Sequence, residues 1–377
     1  MSATMLFITG DIGGNVPPTL AIATELAARG HRVIVAGLEP RADRAAGEVE
    51  LRSLRALDGM DVRPPAGPLG HTPALTRMAV GRALAREVGA LIDAQSPDAV
   101  IVDGVMLASI RAAVSAGVPT AVLFHSLGAF WAAGMASRGA NLAMRPLGLA
   151  PLALLRRADA LLLPTDPVLD PAHAVDGPID FEWIGTTEPG SSAGPRGDGP
   201  KRVLVSLSSA WQRGQADVYR RILAALAPLP IEVAVTTGGV QLDGALTAPS
   251  NTVIHARVPH EQLMPGIDLV IGHGGHSTTM KAVSHGIPLL VVPLDRTSDQ
   301  PLIGRTIEAA GIGRTIAKSS SSEHLRAVVT SILGDTAIAD AAAAAGVRLR
   351  SQRGAARGAE MIERISRGEQ LSPRGSA

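Results

Sequence analysis

The sequence predicts an α/β protein built from two units, each a parallel sheet covered by helices on both faces. Three observations carry this. Short, continuously apolar runs alternate with helical patterns through the first part of the chain, as buried parallel strands and their crossover helices do. The same rhythm restarts at residue 201. Between the two, residues 185–200 read GTTEPGSSAGPRGDGP, a composition of Gly, Pro, Ser and Thr that suits a linker. A chain of 377 residues is also long enough for about two domains. The expected boundaries are 1–190, a linker at 185–200, a second domain at 201–350 and a terminal helix at 351–367.

In order along the chain, MLFITG (5–10) reads as a buried strand. The helix after it has Pro17 or Pro18 in its first turn, Leu20, Ala23, Leu26 and Ala27 on its apolar face, and Gly30 as its stop. HRVIVAG is the next strand. DAVIVD (98–103), a helix over 108–116 and PTAVLFHS repeat the unit. Residues 63–78 are rich in Pro and Gly and read as a loop leading to a helix. The apolar, poorly periodic stretch LGAFWAAGMASRGANLAMRPLGLAPLALLRRA reads either as loosely packed helices lining a cavity or as ordinary core. After the linker come KRVLVSLSS, a helix over 215–226, EVAVTTGG, TVIHARV, DLVIGHGG and PLLVVPLD. The tail GEQLSPRGSA is expected to be disordered. A cleft at the strands' carboxyl ends is where a ligand is expected in such an arrangement.

Composition removes several function classes. Lys+Arg 35 against Asp+Glu 34 leaves a formal net charge of +1, which gives no support for a nucleic-acid partner. There is no cysteine, so disulfides and thiolate metal sites are excluded and a reducing cytoplasm is the expected compartment. No signal peptide and no uncharged apolar run of membrane-spanning length are expected. A monomer or homodimer is expected.

The chemistry concentrates in VIGHGGHSTTMKAVSHGIPLLVVPLDRTSDQ (270–300). Gly274 and Gly275 let backbone approach a ligand closely. Ser277, Thr278 and Thr279 fall in the first turn of a helix, where free N–H groups and the dipole's positive end favour an anion. His273, at the strand's end, can donate a further hydrogen bond. One hydroxyl suffices for an N-cap, so this density reads as a phosphate cradle. Asp299 and Gln300, about 20 residues on, suit a polyhydroxylated ring, since each can exchange several hydrogen bonds. Phosphate plus sugar reads as a nucleotide sugar.

The pattern HGG–STTMKA–GIPLLVVP–DQ resembles the donor signature of the UDP-glycosyltransferase superfamily, which includes plant and mammalian sugar transferases and bacterial enzymes that glycosylate antibiotics. The opening GGNVPPTLAIA–LAARGHRV, the PDAVIVD strand and the linker fit it as well. The resemblance implies a GT-B fold, two Rossmann-like domains facing across a cleft. It implies an inverting, metal-independent transfer from a TDP- or UDP-sugar, without a cofactor, to a small, largely apolar natural-product acceptor held by the N-terminal domain. It places His273 on the diphosphate with Gly275, Ser277 and Thr278 beside it. Asp299 and Gln300 would hold sugar hydroxyls, Ser209 would approach the phosphates, and the backbone at Val258 would contact the base. The helix ARGAEMIERISR would cross back onto the N-terminal domain.

Three positions depart from that family. Its general base, a histidine in the loop after the first strand, aligns with Asn15, whose amide cannot accept a proton. The aspartate that orients such a histidine aligns with Asp103. Either Asp103 or Asp11 acts as base, or the acceptor is an easily ionised phenol or an aromatic N- or C-nucleophile, or the chain is a non-catalytic partner. His71 and His125 lie where acceptors bind in relatives, each a further candidate base, and Phe130 and Trp131 are candidate acceptor contacts. Lys281 replaces a glutamate that contacts ribose, and His276 replaces a small residue. A nucleotide-sugar 2-epimerase is a further alternative with the same architecture. A dehydrogenase is not, because GDIGGNVPPT lacks the G-x-G-x-x-G spacing.

Overall fold

A computed structural model describes residues 2–39, 47–67, 69–188, 190–191 and 199–371. The chain divides into two compact units. Unit 1 comprises residues 1–61, 71–187 and 353–377, and unit 2 comprises residues 62–70 and 188–352.

Unit 1 holds seven strands: β1 (Thr4–Ile8), β2 (Arg32–Ala36), β3 (Glu50–Arg52), β4 (Ala99–Asp103), β5 (Thr120–Leu123), β6 (Ala160–Leu163) and β7 (Glu182–Trp183). Their order is β3-β2-β1-β4-β5-β6-β7, and every pairing is parallel. The strands read as unbroken apolar runs because both faces are covered. Leu6, Ile8, Val100, Val102 and Val122 face one core; Met5, Phe7, Ile101, Ala121 and Leu123 face the other. On this second face the helix Val16–Ala28 packs with the C-terminal helix Gly354–Ser366 through Ile22, Ala23, Leu26, Ala359 and Ile362. Arg29 ties the pair together at 3.1 Å from Glu363.

Unit 2 holds β8 (Lys201–Ser206), β9 (Ile231–Thr236), β10 (Thr252–His255), β11 (Leu269–Gly272), β12 (Leu289–Val291) and β13 (Gly313–Thr315). Their order is β10-β9-β8-β11-β12-β13, again all parallel. In each sheet the winding reverses beside the first strand, between β1 and β4 and between β8 and β11. A doubly wound sheet opens a crevice for ligand at that switch point, outside the strands' carboxyl ends.

The structure bears on four of the sequence expectations, and corrects the first two. Residues 62–70 belong to unit 2, not to the N-terminal domain: Trp211 N donates to Val62 O at 2.7 Å and Gln241 N to Arg63 O at 3.2 Å. The segment taken as a linker begins as packed chain, with Thr186 and Glu188 buried; residues 189 and 192–198 lie outside the described residues. The apolar stretch after Leu127 forms the helices Gly128–Met135, Arg138–Met144 and Pro151–Leu155. Met135, Leu154 and Leu155 enter the core and Leu142 stays exposed. Of the tail, residues 372–377 lie outside the described residues. No single helix among the described residues is long and apolar enough to cross a membrane.

Candidate active site

The switch point of unit 2 gathers the residues of the glycine-rich motif. β11 ends at Gly272, and the helix His276–Ser284 starts four residues later. Gly274 makes the turn at φ +87, where an added Cβ would stand 2.9 Å from Gln300 O. At Gly275 a Cβ would stand 2.5 Å from His273 Cε1, so the imidazole lies against a backbone that only glycine leaves bare. Gly275 is the N-cap, with no side-chain cap hydrogen bond, so the first-turn amides have no capping side chain. His273 is half-buried with its Nδ1 enclosed, and desolvation of the ring pushes its pKa down to about 4; at neutral pH it is an uncharged imidazole. Its Nδ1 has no partner among the described residues.

Around this turn runs a charged network that the sequence did not suggest. Ser277 Oγ donates to Glu188 Oε1 at 2.5 Å, and Lys281 Nζ stands 3.4 Å from Glu188 and 2.7 Å from Glu261. Burial raises the Glu188 pKa, outweighing the pull of Lys281 and of the Ser277 hydrogen bond. For Lys281 burial acts the other way, and its two carboxylate partners more than offset it, leaving the ammonium pKa raised. His260 Nε2 sits 2.9 Å from Ser206 Oγ at the end of β8. Burial, aided by Lys281, pushes its pKa down to about 4. Thr278 is half-buried in the same first turn, Ser209 is exposed after β8, and Val258 is half-buried before His260.

Asp299 and Gln300 occupy the N-cap and first position of the helix Gln300–Ala309. Asp299 makes no capping hydrogen bond with its side chain. Gln300 is 3% exposed, and its Oε1 accepts from Leu294 N at 2.7 Å and Asp295 N at 3.0 Å. The amide oxygen therefore closes the loop after β12, and Nε2 donates to Gln212 Oε1 at 3.4 Å.

The switch point of unit 1 gathers a second group. Asn15 and Asp103, each 2% exposed, come together from the loop after β1 and the end of β4. Asn15 Nδ2 donates to Asp103 Oδ2 at 2.8 Å, Thr9 Oγ1 at 3.0 Å and Gly10 O at 2.6 Å. Thr9 Oγ1 and Val105 N also donate to the carboxylate. His125, two residues past β5, brings Nε2 to 3.2 Å from Asp103 Oδ2. Burial alone would raise the Asp103 pKa; His125, Asn15 and Val105 together hold it below the usual carboxylate value. Asp103 is thus a fixed, ionised acceptor, poorly suited to abstract a proton itself. Asp11 lies four residues before Asn15 in the same loop, and Ile12 N donates to Asn15 Oδ1 at 3.3 Å. Trp131 Nε1 donates to His125 O at 2.6 Å, and its ring lies 5.2 Å from Phe124 and 5.5 Å from Phe130. His71 precedes the helix Thr72–Val80; that helix reaches the same loop through Met78, whose Sδ lies 2.8 Å from where a Gly10 Cβ would be. No group of three or more His, Cys, Asp or Glu among the described residues is placed to hold a metal ion.

The model of the "Glycosyl transferase 4-like domain" family matches residues 13–180, and that of "Erythromycin biosynthesis protein CIII-like, C-terminal domain" matches residues 220–365. L-demethylnoviosyl transferase of Streptomyces niveus is 30% identical over 311 residues, 74% of this chain and 76% of that protein. Three other curated glycosyltransferases match over shorter stretches, and the chain spans 21%, 33% and 54% of their lengths. Among solved structures, the glycotransferase of kitacinnamycin superposes with a TM-score of 0.75 at 22% identity, over 97% of this chain and 99% of that one. The glycosyltransferase VinC, in complex with DTDP, gives a TM-score of 0.69 at 15% identity over 97% and 100%. These structural likenesses show a shared GT-B fold.

Proposed function

The chain belongs to the glycosyltransferase family that includes L-demethylnoviosyl transferase, and from that premise we propose that it moves a sugar from a TDP- or UDP-sugar to a small, largely apolar natural product, with inversion at the anomeric carbon. Unit 2 binds the donor and unit 1 the acceptor. The observation that carries this reading is the turn after β11. There an uncapped helix N-terminus, two glycines and a neutral His273 with an enclosed, unpartnered Nδ1 sit together at the switch point. Fixed N–H groups and hydroxyls at such a place stabilise the charge that grows on a departing diphosphate. Lys281 lies on the same helix, paired with Glu188 and Glu261; a lysine there suits a phosphate better than a ribose hydroxyl.

The acceptor atom forms a bond to the anomeric carbon while the bond to the diphosphate oxygen breaks, and the electron pair leaves with the diphosphate. Phe130 and Trp131 offer apolar contact to the aglycone. The test is product formation: dTDP- and UDP-sugars incubated with a panel of phenolic and aliphatic acceptors, read by mass. A mass increase of one glycosyl unit is expected. Conversion of donor without acceptor would mark an epimerase. Asn15 at the family's base position favours a second reading, a non-catalytic partner, which would yield no product with any pair.

A further inference from the structure

We infer that His125 supplies the general base that Asn15 cannot, with Asp103 as its positioning residue. The inference rests on the glycosyltransferase reading above and adds a catalytic residue to it. The geometry is local to unit 1. β1, β4 and β5 are adjacent in the sheet, with Ile8 level with Val102 and Asp103 level with Leu123. The three residues that follow or end these strands therefore converge at one edge. Asp103 ends β4, Asn15 reaches it from the loop after β1, and His125 reaches it from beyond β5.

Four observations single out His125. Its Nε2 stands 3.2 Å from Asp103 Oδ2. The approach is close enough for an ion pair, yet its angle leaves both ring nitrogens without a formed hydrogen bond among the described residues. Hydrogen bonds of catalytic groups are often poorly aligned before substrate binds. With Nε2–H turned to the carboxylate, Nδ1 is left as a buried lone pair that no protein group answers. A buried imidazole kept so is costly unless a substrate hydroxyl completes it.

The backbone next to it is strained. Ser126 has φ +97, a region that a non-glycine residue enters at roughly 1–3 kcal/mol and that clusters at functional sites. The carbonyl of His125 is pinned by the Trp131 indole at 2.6 Å, so the strain and the aromatic contact together fix the ring beside the candidate acceptor face. Asn15, meanwhile, uses its amide to hold the Asp103 carboxylate in place. The dyad thus keeps the orienting aspartate and takes its imidazole from a neighbouring strand.

In the reaction the acceptor's O–H proton passes to His125 Nδ1 as its oxygen bonds to the anomeric carbon. The sugar–phosphate bond breaks toward the diphosphate, and the Asp103 carboxylate stabilises the imidazolium until water takes the proton. Two carboxylates flank this part of the chain: Asp103 of β4 beside the ring and Asp170, which accepts from Gly128 N and Ala129 N; the helix Gly128–Met135 itself carries no titratable side chain.

The experiment compares wild type with His125→Gln, His125→Ala and Asp103→Asn. It uses dTDP-glucose and UDP-glucose with 4-methylumbelliferone and aliphatic alcohols as acceptors, across pH. For His125→Gln, kcat/KM is expected to fall about 100-fold or more, with KM little changed. The deficit should shrink as the pH approaches the acceptor's own pKa, and added imidazole should restore His125→Ala in part. Long-range 1H–15N spectra of histidine-labelled protein should show the Nε2–H tautomer at His125, with that preference lost in Asp103→Asn. Product from the wild type together with an undiminished His125→Gln, a pH-independent deficit, or an Nδ1–H tautomer would overturn the base assignment alone. A wild type that makes no product with any pair overturns the glycosyltransferase reading and this inference with it.

Discussion

Glu188 Oε1 accepts a hydrogen bond from the Ser277 hydroxyl at 2.5 Å, which puts a buried carboxylate against the first turn of the helix proposed to receive a diphosphate. A helix N-terminus with a lysine one turn on attracts an anion whatever its source. The carboxylate and a phosphate would draw on the same donors, Ser277 and Lys281. Replacing Glu188→Gln removes the competing charge while Glu261 still pairs with Lys281. Titration calorimetry should show dTDP binding at least threefold tighter. Weaker binding would mean that Glu188 supports the donor site instead of competing for it.

The contact between Gly275 and His273 gives a steric prediction. In Gly275→Ala the new methyl would meet the imidazole at 2.5 Å, and the ring would have to leave its place. Overpacking of this kind costs about 1–3 kcal/mol, so thermal unfolding should shift down. Affinity for dTDP should fall more than tenfold, because His273 no longer faces the phosphates. A stable variant with unchanged affinity would separate His273 from donor binding.

Two strongly depressed histidines make unit 2 acid-sensitive. His260 and His273 titrate near 4 when folded and near 6.5 when unfolded. Between those values the unfolded chain binds the extra protons, so stability is full above about pH 6.5 and falls as the pH drops toward 4. By pH 5 the loss is about 2 kcal/mol per histidine. Thermal denaturation from pH 7 to pH 5 should show a falling Tm, and His260→Gln should flatten the slope. A Tm independent of pH over this range would contradict the desolvation assigned to both imidazoles.

Asn15 and Asp103 provide a test of the unit 1 cluster. Asn15→Asp would set a second carboxylate where a 2.8 Å amide donor now stands. Two buried like charges at that distance cannot both ionise without penalty, so the variant should lose about 2–4 kcal/mol at pH 7. Because the pair can share one proton, the loss relative to wild type should shrink as the pH is lowered toward 5. A loss that does not vary with pH would mean that Asp103 is not the charged partner of Asn15.

Much of this architecture was legible in the chain because the strands are apolar on both faces and the crossover helices carry plain start and stop signals. The helix Gln215–Leu226 and the first-turn placement of Ser277 follow directly from such patterns. The short edge strands Glu50–Arg52 and Gly313–Thr315 were not legible, since three residues with polar or glycine positions give no period to read. The donor-site motif was visible as local sequence, yet Glu188, His260 and Glu261 were not. They reach the motif only through tertiary folding, from the chain before residue 200 and from beyond β10. The link between His125 and Asp103 was hidden for the same reason: it joins two strands that neighbour each other in the sheet but lie 22 positions apart in the chain. Gln300 carried a sugar-contact expectation, whereas its amide oxygen spends its hydrogen bonds on the loop after β12.

The central claim is that the turn after β11 holds the diphosphate of a nucleotide. The most direct measurement is calorimetric titration of dTDP and UDP into wild type, His273→Ala and, as a control in the other unit, Asp103→Asn. The account predicts binding to the wild type, a loss of at least tenfold in His273→Ala and unchanged affinity in Asp103→Asn. Wild-type affinity retained by His273→Ala would contradict it.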